Sequence, residues 1–273
     1  MTLEPIWGLS PHQHSYLQEF LKLYDIKGKD VLELGGAMPK ELVIDFLGAN
    51  SWTCLQSADY QNHRSDNQIP SQANDSTHYL PVWANAEDYL ESTKTKWDYV
   101  FSIAAFEHLL KFPKIARLLP TVVKSGGTLF SIFAPIWSGP WGQHYTDGVP
   151  SRFGQSPNGE WTTQLIFNSP WDHLIYGAKD YLQIYTAKFD RDFAEELTYQ
   201  TFHSPQINRL HFEDYLAIVS NTHFKPRRLH GIFNLNPSQN DVWNSVHQGC
   251  IKKFEQQNYS NFTSSGIVML LDR

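Results

Sequence analysis

Val31-Leu32-Glu33-Leu34-Gly35-Gly36 decides how the chain reads. Branched apolar residues around one acid end in two glycines, and 39–47 follows as a helix, so the order is strand, tight turn, helix. Pro39 suits a first helical turn, where its missing N–H is no loss, and Gly48 suits the position just past a helix end. Glycines at the carboxyl end of a strand let the main chain approach a ligand, because no Cβ stands in the way. A nucleotide-like cofactor is the natural occupant of such a turn.

Outward from there, Trp52-Thr53-Cys54-Leu55-Gln56 reads as a second strand, with Asp59 and Tyr60 just beyond it. The polar run 62–77 reads as a loop, 79–83 as a third strand, and Asn85 as the cap of the helix that follows. Trp97-Asp98-Tyr99-Val100-Phe101-Ser102-Ile103 is the fourth strand. Phe106-Glu107-His108-Leu109 stands at its end, opening a helix expected to run through Leu118. Lys124-Ser125-Gly126-Gly127 then turns into a fifth strand over 128–133. Before the first strand, Ser10-Pro11 opens a cap helix over 10–26, with Tyr16, Leu17, Phe20, Leu21 and Tyr24 at helical spacing. That helix packs on the core, and Tyr16 is its candidate for a place over the cofactor. Strands alternating with helices predict a parallel, doubly wound sheet covered on both faces.

The alternation breaks over 134–205, where Pro, Gly and Trp punctuate polar residues, as in Trp137-Ser138-Gly139-Pro140-Trp141-Gly142-Gln143-His144-Tyr145. Such a stretch reads as an insertion or lid within a single domain spanning 1–273. Helix is expected within 180–199 and over 211–219, a strand within 224–233, a surface helix within 234–261, and a last strand over 266–271.

Net charge is −6, with 22 basic against 28 acidic residues and no run of Lys or Arg, so nucleic acid is not an expected partner. The two cysteines build no disulfide framework and suit a reducing cytoplasm. The first residues lack a basic segment followed by an apolar run, and no stretch approaches the ~20 apolar residues of a membrane span. A soluble protein without membrane association is expected. There are 12 His, but neither His-Glu-x-x-His nor Cys-rich spacing, so no metal is expected.

Taken in order, these pieces resemble the class I S-adenosylmethionine-dependent methyltransferases of the small-molecule type. The resemblance is carried by the glycine turn, Asn85-Ala86-Glu87, Trp97 to Ser102, Phe106-Glu107-His108-Leu109, Ser125-Gly126-Gly127-Thr128-Leu129 and the last strand. It implies an α/β fold: a Rossmann-like seven-stranded sheet with helices on both faces and a substrate-side insertion. It also implies S-adenosylmethionine as cofactor, with Glu33 beside the methionine amino group, Gly35 and Gly36 beneath the cofactor, and Asn85 with Ala86 at the adenine edge. Two departures stand out. The usual Gly-x-Gly-x-Gly is replaced by Gly35-Gly36-Ala37-Met38-Pro39, and Gln56 occupies the place of the acid that grips the ribose. Either Gln56 bonds a hydroxyl, or Asp59 reaches back, or cofactor binding is impaired.

The activity implied is methyl transfer to an oxygen or nitrogen of a small-molecule substrate. His144 is the first candidate general base, because neutral imidazole near pH 7 suits proton removal. His108 is the second, with Glu107 as its orienting partner. Trp137, Trp141 and Tyr145 are candidates to wall the acceptor or simply to pack the loop, and Arg152, with Arg191 and Arg209, to meet an acidic group. The altered turn and Gln56 also leave open a cofactor-binding fold that catalyses a rearrangement, or a non-catalytic partner subunit. A nicotinamide dehydrogenase is disfavoured by the absence of Gly-x-Gly-x-x-Gly, and DNA methylation by the charge.

Overall fold

The computed structural model describes residues 7–57, 78–143 and 169–273. Its seven strands are β1 (Asp30–Leu34), β2 (Ser51–Gln56), β3 (Tyr79–Trp83), β4 (Trp97–Ile103), β5 (Val123–Phe133), β6 (Lys225–Asn234) and β7 (Ser264–Asp272). They form one sheet in the order β3-β2-β1-β4-β5-β7-β6. The first five run parallel, but β7 is antiparallel to both β5 and β6, so the sheet is mixed where an all-parallel one was expected. Burial explains the placement: β7 is apolar and covered along most of its length and sits inside the sheet. By contrast β6 is largely exposed. Lys225, Pro226, Arg227 and Arg228 begin it, the kind of sequence that keeps an edge strand from pairing with another chain.

Each face of the sheet has its own core. On one face, α1 (Pro11–Leu23) and a turn at Glu41–Phe46 bury Leu17, Phe20, Leu42 and Val43 against Val31, Trp52, Phe101 and Phe130. Ser10 and Gln13 start α1 with reciprocal side-chain and backbone bonds. On the other face lie α2 (Ala86–Ser92), α3 (Phe112–Val122) and α7 (Phe212–Ser220). They pack Leu90, Ile115, Leu119, Tyr215 and Val219 on Leu32, Leu34, Val100, Leu129 and Met269. Between β5 and α7 come α4 (Asp172–Ile175), α5 (Ala178–Thr186) and α6 (Arg191–Phe202), and α8 (Asp241–Phe254) links β6 to β7.

Two local readings differ from expectation. The helix read over 39–47 is a single π turn, in which the Leu47 amide reaches the Leu42 carbonyl five residues back and Gly48 closes it at φ +73°. The helix read from 106 onward is interrupted: Phe106–His108 forms a 3₁₀ turn, and α3 begins afresh at Phe112. Pro113 is the cause, since it fits the first turn of a helix and disfavours helical backbone in the residue before it.

Candidate active site

The carboxyl ends of β1, β2, β3 and β4 meet along one rim. Gly35 leaves β1 at φ +85°, its amide bonded to the Leu55 carbonyl at 2.9 Å. A Cβ at this position would overlap the Cβ of Ala105, in the turn after β4, so only glycine lets the two turns nest. A Cβ at Gly36 would overlap Glu33 Oε1. The rim is thus a stretch of main chain without side chains, the cradle a nucleotide needs.

Glu33 lies directly beneath the glycine turn, its Oε1 under Gly36. Its side chain lies with Trp52 and Cys54 on the α1 face, 3% exposed. Oε2 accepts from the Trp52 indole at 2.7 Å and the Met38 amide at 2.8 Å. The acid therefore braces the glycine turn from below. Met38 itself is buried among the residues under α1, away from solvent.

Gln56, the last residue of β2, is 5% exposed, and its Nε2 has no hydrogen-bond partner. A buried amide nitrogen kept without an acceptor is what a ligand hydroxyl would satisfy. Asn85 occupies the N-cap of α2 without capping it; its Nδ2 donates to Asp88 at 3.3 Å, which leaves its carbonyl oxygen to accept, and Ala86 is the first helical residue. Tyr16 projects from α1 to the neighbourhood of Glu107: its phenol is shifted up first by burial and then by that carboxyl. Asp59 lies outside the described residues.

Glu107 is the least expected feature. It is 2% exposed in the turn after β4, and neither of its oxygens makes a well-formed hydrogen bond, the backbone amides of Glu107 and Ala134 lying only near enough to act on its charge. Desolvation pushes its carboxyl up to about 8, so it is largely protonated at neutral pH. The amides of Glu107 and Ala134 oppose this only in part. His108 Nε2 stands 4.0 Å from Oε1, while its Nδ1 is 2.7 Å from the Gln206 carbonyl and must therefore carry the proton. Asn208 fixes the turn: its amide donates to the Glu107 carbonyl, and its side chain to the carbonyls of Phe106 and Leu109. Sequence reasoning cast Glu107 only as a partner for His108. The signal it offered was an acid four residues beyond a buried strand, between Phe106 and the His108-Leu109 pair.

Trp137 is half-buried after β5, with His173 edge-on at 4.6 Å and the Arg209 guanidinium 5.6 Å over its ring. Arg209 also donates to the carbonyls of Thr201 and Ser204, at the end of α6. Glycines pack this segment tightly: a Cβ at Gly139 would meet the backbone of Ser264 and Ser265, and one at Gly142 the backbone of Trp137. Trp141 is half-buried in the same segment. His144, Tyr145 and Arg152 lie outside the described residues. Among the described residues no three His, Cys, Asp or Glu side chains are grouped to hold a metal, and no helix is long and apolar enough to cross a membrane.

The fold is similar to that of known structures. An S-adenosylmethionine-dependent methyltransferase from Mesorhizobium loti superposes with TM-score 0.50 over 97% of this chain and 99% of that one, at 13% identity. A second such enzyme, from Archaeoglobus fulgidus, does so at TM-score 0.47 and 12% identity, over 97% and 95% of the two chains. No family model matches the sequence, and no curated protein matches it. The fold is the α/β, Rossmann-like methyltransferase fold.

Proposed function

We propose that this chain transfers a methyl group from S-adenosylmethionine to an oxygen or nitrogen of a small-molecule acceptor. The cofactor supplies an electrophilic methyl on sulfur, so the protein has to align the acceptor for in-line attack and remove its proton. Gly35 and Gly36 would pass beneath it, Gln56 would give its spare amide to a ribose hydroxyl, and Asn85 with Ala86 would meet the adenine edge. Tyr16 would cover it from α1. Trp137, Trp141, Tyr145 and Arg152 are the proposed acceptor contacts, and His144 and His108 the bases suggested by sequence. The two cysteines are buried thiols, which fits a reducing cytoplasm.

The observation that carries the reading is the Gly35 bend seated against Ala105, at the carboxyl rim of a sheet with this strand order. Calorimetry with S-adenosylhomocysteine, followed by incubation of labelled S-adenosylmethionine with fractionated small molecules, tests it. Binding with label transfer is the expected result. Failure to bind at millimolar ligand would instead favour a partner subunit, and turnover without S-adenosylhomocysteine release a rearrangement.

A further inference from the structure

We infer that Glu107 is the catalytic group that takes the acceptor's proton, with His108 as that proton's way out to solvent; this rests on the methyl-transfer reading. Glu107 stands on the same rim as Gly35, two residues beyond the Ala105 that the glycine touches. The turn that carries Glu107 is itself held in place: Asn208 makes bonds to Phe106, Leu109, Leu210 and Tyr215 through its side chain. Two orphaned oxygens on one buried side chain weaken the fold unless a ligand meets them.

The groups facing Glu107 are Tyr16 on α1, Tyr215 on α7 and His108 beside it, and no Lys or Arg pairs with it among the described residues. Tyr215 spends its own hydroxyl on Asn208 Oδ1 at 2.9 Å. A positive charge arriving at the rim would therefore be the nearest one to this carboxyl and would favour its ionised form. The resting acid is neutral, and occupancy of the rim makes it a base. As the acceptor's lone pair forms the new bond to the methyl carbon, the carbon–sulfur pair stays on sulfur and the acceptor's proton passes to a Glu107 oxygen. His108, about a third exposed and with its lone-pair Nε2 toward Glu107, then hands the proton to water.

Proton release on ligand binding, read by calorimetry in buffers of different ionisation heat, tests the inference on the intact chain. At pH 7, S-adenosylmethionine should release roughly one proton from the wild type. S-adenosylhomocysteine, whose sulfur is neutral, should release clearly less. Glu107→Gln should bind both ligands with buffer-independent heats and lose at least ~10²-fold in kcat. Should that variant fail to fold, difference infrared spectra of the wild type serve: the protonated-carboxyl stretch should disappear on binding S-adenosylmethionine. Binding with buffer-independent heat in the wild type, or proton release unchanged in Glu107→Gln, overturns the role of Glu107 and leaves methyl transfer standing. No binding of either ligand overturns both.

Discussion

The Trp52 indole donates to Glu33 Oε2 at 2.7 Å, and the Met38 amide donates to the same oxygen from the far side of the glycine turn. One carboxyl group thus ties β1 to β2 and fixes where the chain re-enters after Gly36. The link accounts for a turn that lacks the usual third glycine, since Met38 is held by a hydrogen bond and by its own burial. Trp52→Phe keeps most of the ring volume and removes the donor. Partly orphaning a buried acceptor should lower stability by about 1–3 kcal/mol, read by urea denaturation, and weaken cofactor binding through the loosened turn.

Gly35→Ala adds one methyl group where Ala105 already stands, at a backbone angle that side chains avoid. Strain and overlap together should cost about 2–5 kcal/mol. Ala105→Gly in the same chain should recover the overlap and leave the backbone strain, so the double variant should be more stable than Gly35→Ala. If it is not, the two turns do not nest as described.

Asn208→Ala releases the carbonyls of Phe106 and Leu109 and the hydroxyl of Tyr215 at once. A loss of about 2–4 kcal/mol is expected, since several buried polar groups lose partners together. Hydrogen exchange should quicken over 106–109 before it does in β4, because the strand's own ladder is untouched.

Two buried side chains give stability opposite dependences on pH. His173 is 3% exposed and shifted down to about 3 by burial, against an ordinary value of 6.5. The unfolded chain takes up its proton first, so this contribution is intact above about 6.5 and lost as pH falls toward 3, at about 1.4 kcal/mol per pH unit. Glu107 runs the other way. Raised to about 8 from 4.5, it holds a proton that the unfolded chain gives up, so stability is intact below about 4.5 and lost as pH rises toward 8. Denaturation at pH 5.5 and 8 should show His173→Gln flattening the acid side. Glu107→Gln should stabilise the ligand-free chain at pH 8 by on the order of 3–5 kcal/mol, the sign expected of a group kept for function.

Sequence by itself determined the order of elements. The run from Val31 to Gly36, the second strand ending at Gln56, the fourth ending before Phe106, and the cap helix with Tyr16 all follow from local periodicity and turn chemistry, which act over a few residues. What only the tertiary structure decided depends on neighbours remote in sequence. The antiparallel insertion of β7 between β5 and β6 is one case, because burial on both faces, not local propensity, sets a strand's place. The direction of Glu33 is another: the indole that claims it stands 19 residues away. Glu107 is the third, since a carboxyl is neutral or charged according to the water and donors around it. Here packing by α1, α7 and the loop carrying Asn208 excludes the first, and the amides of Glu107 and Ala134 supply the second only in part.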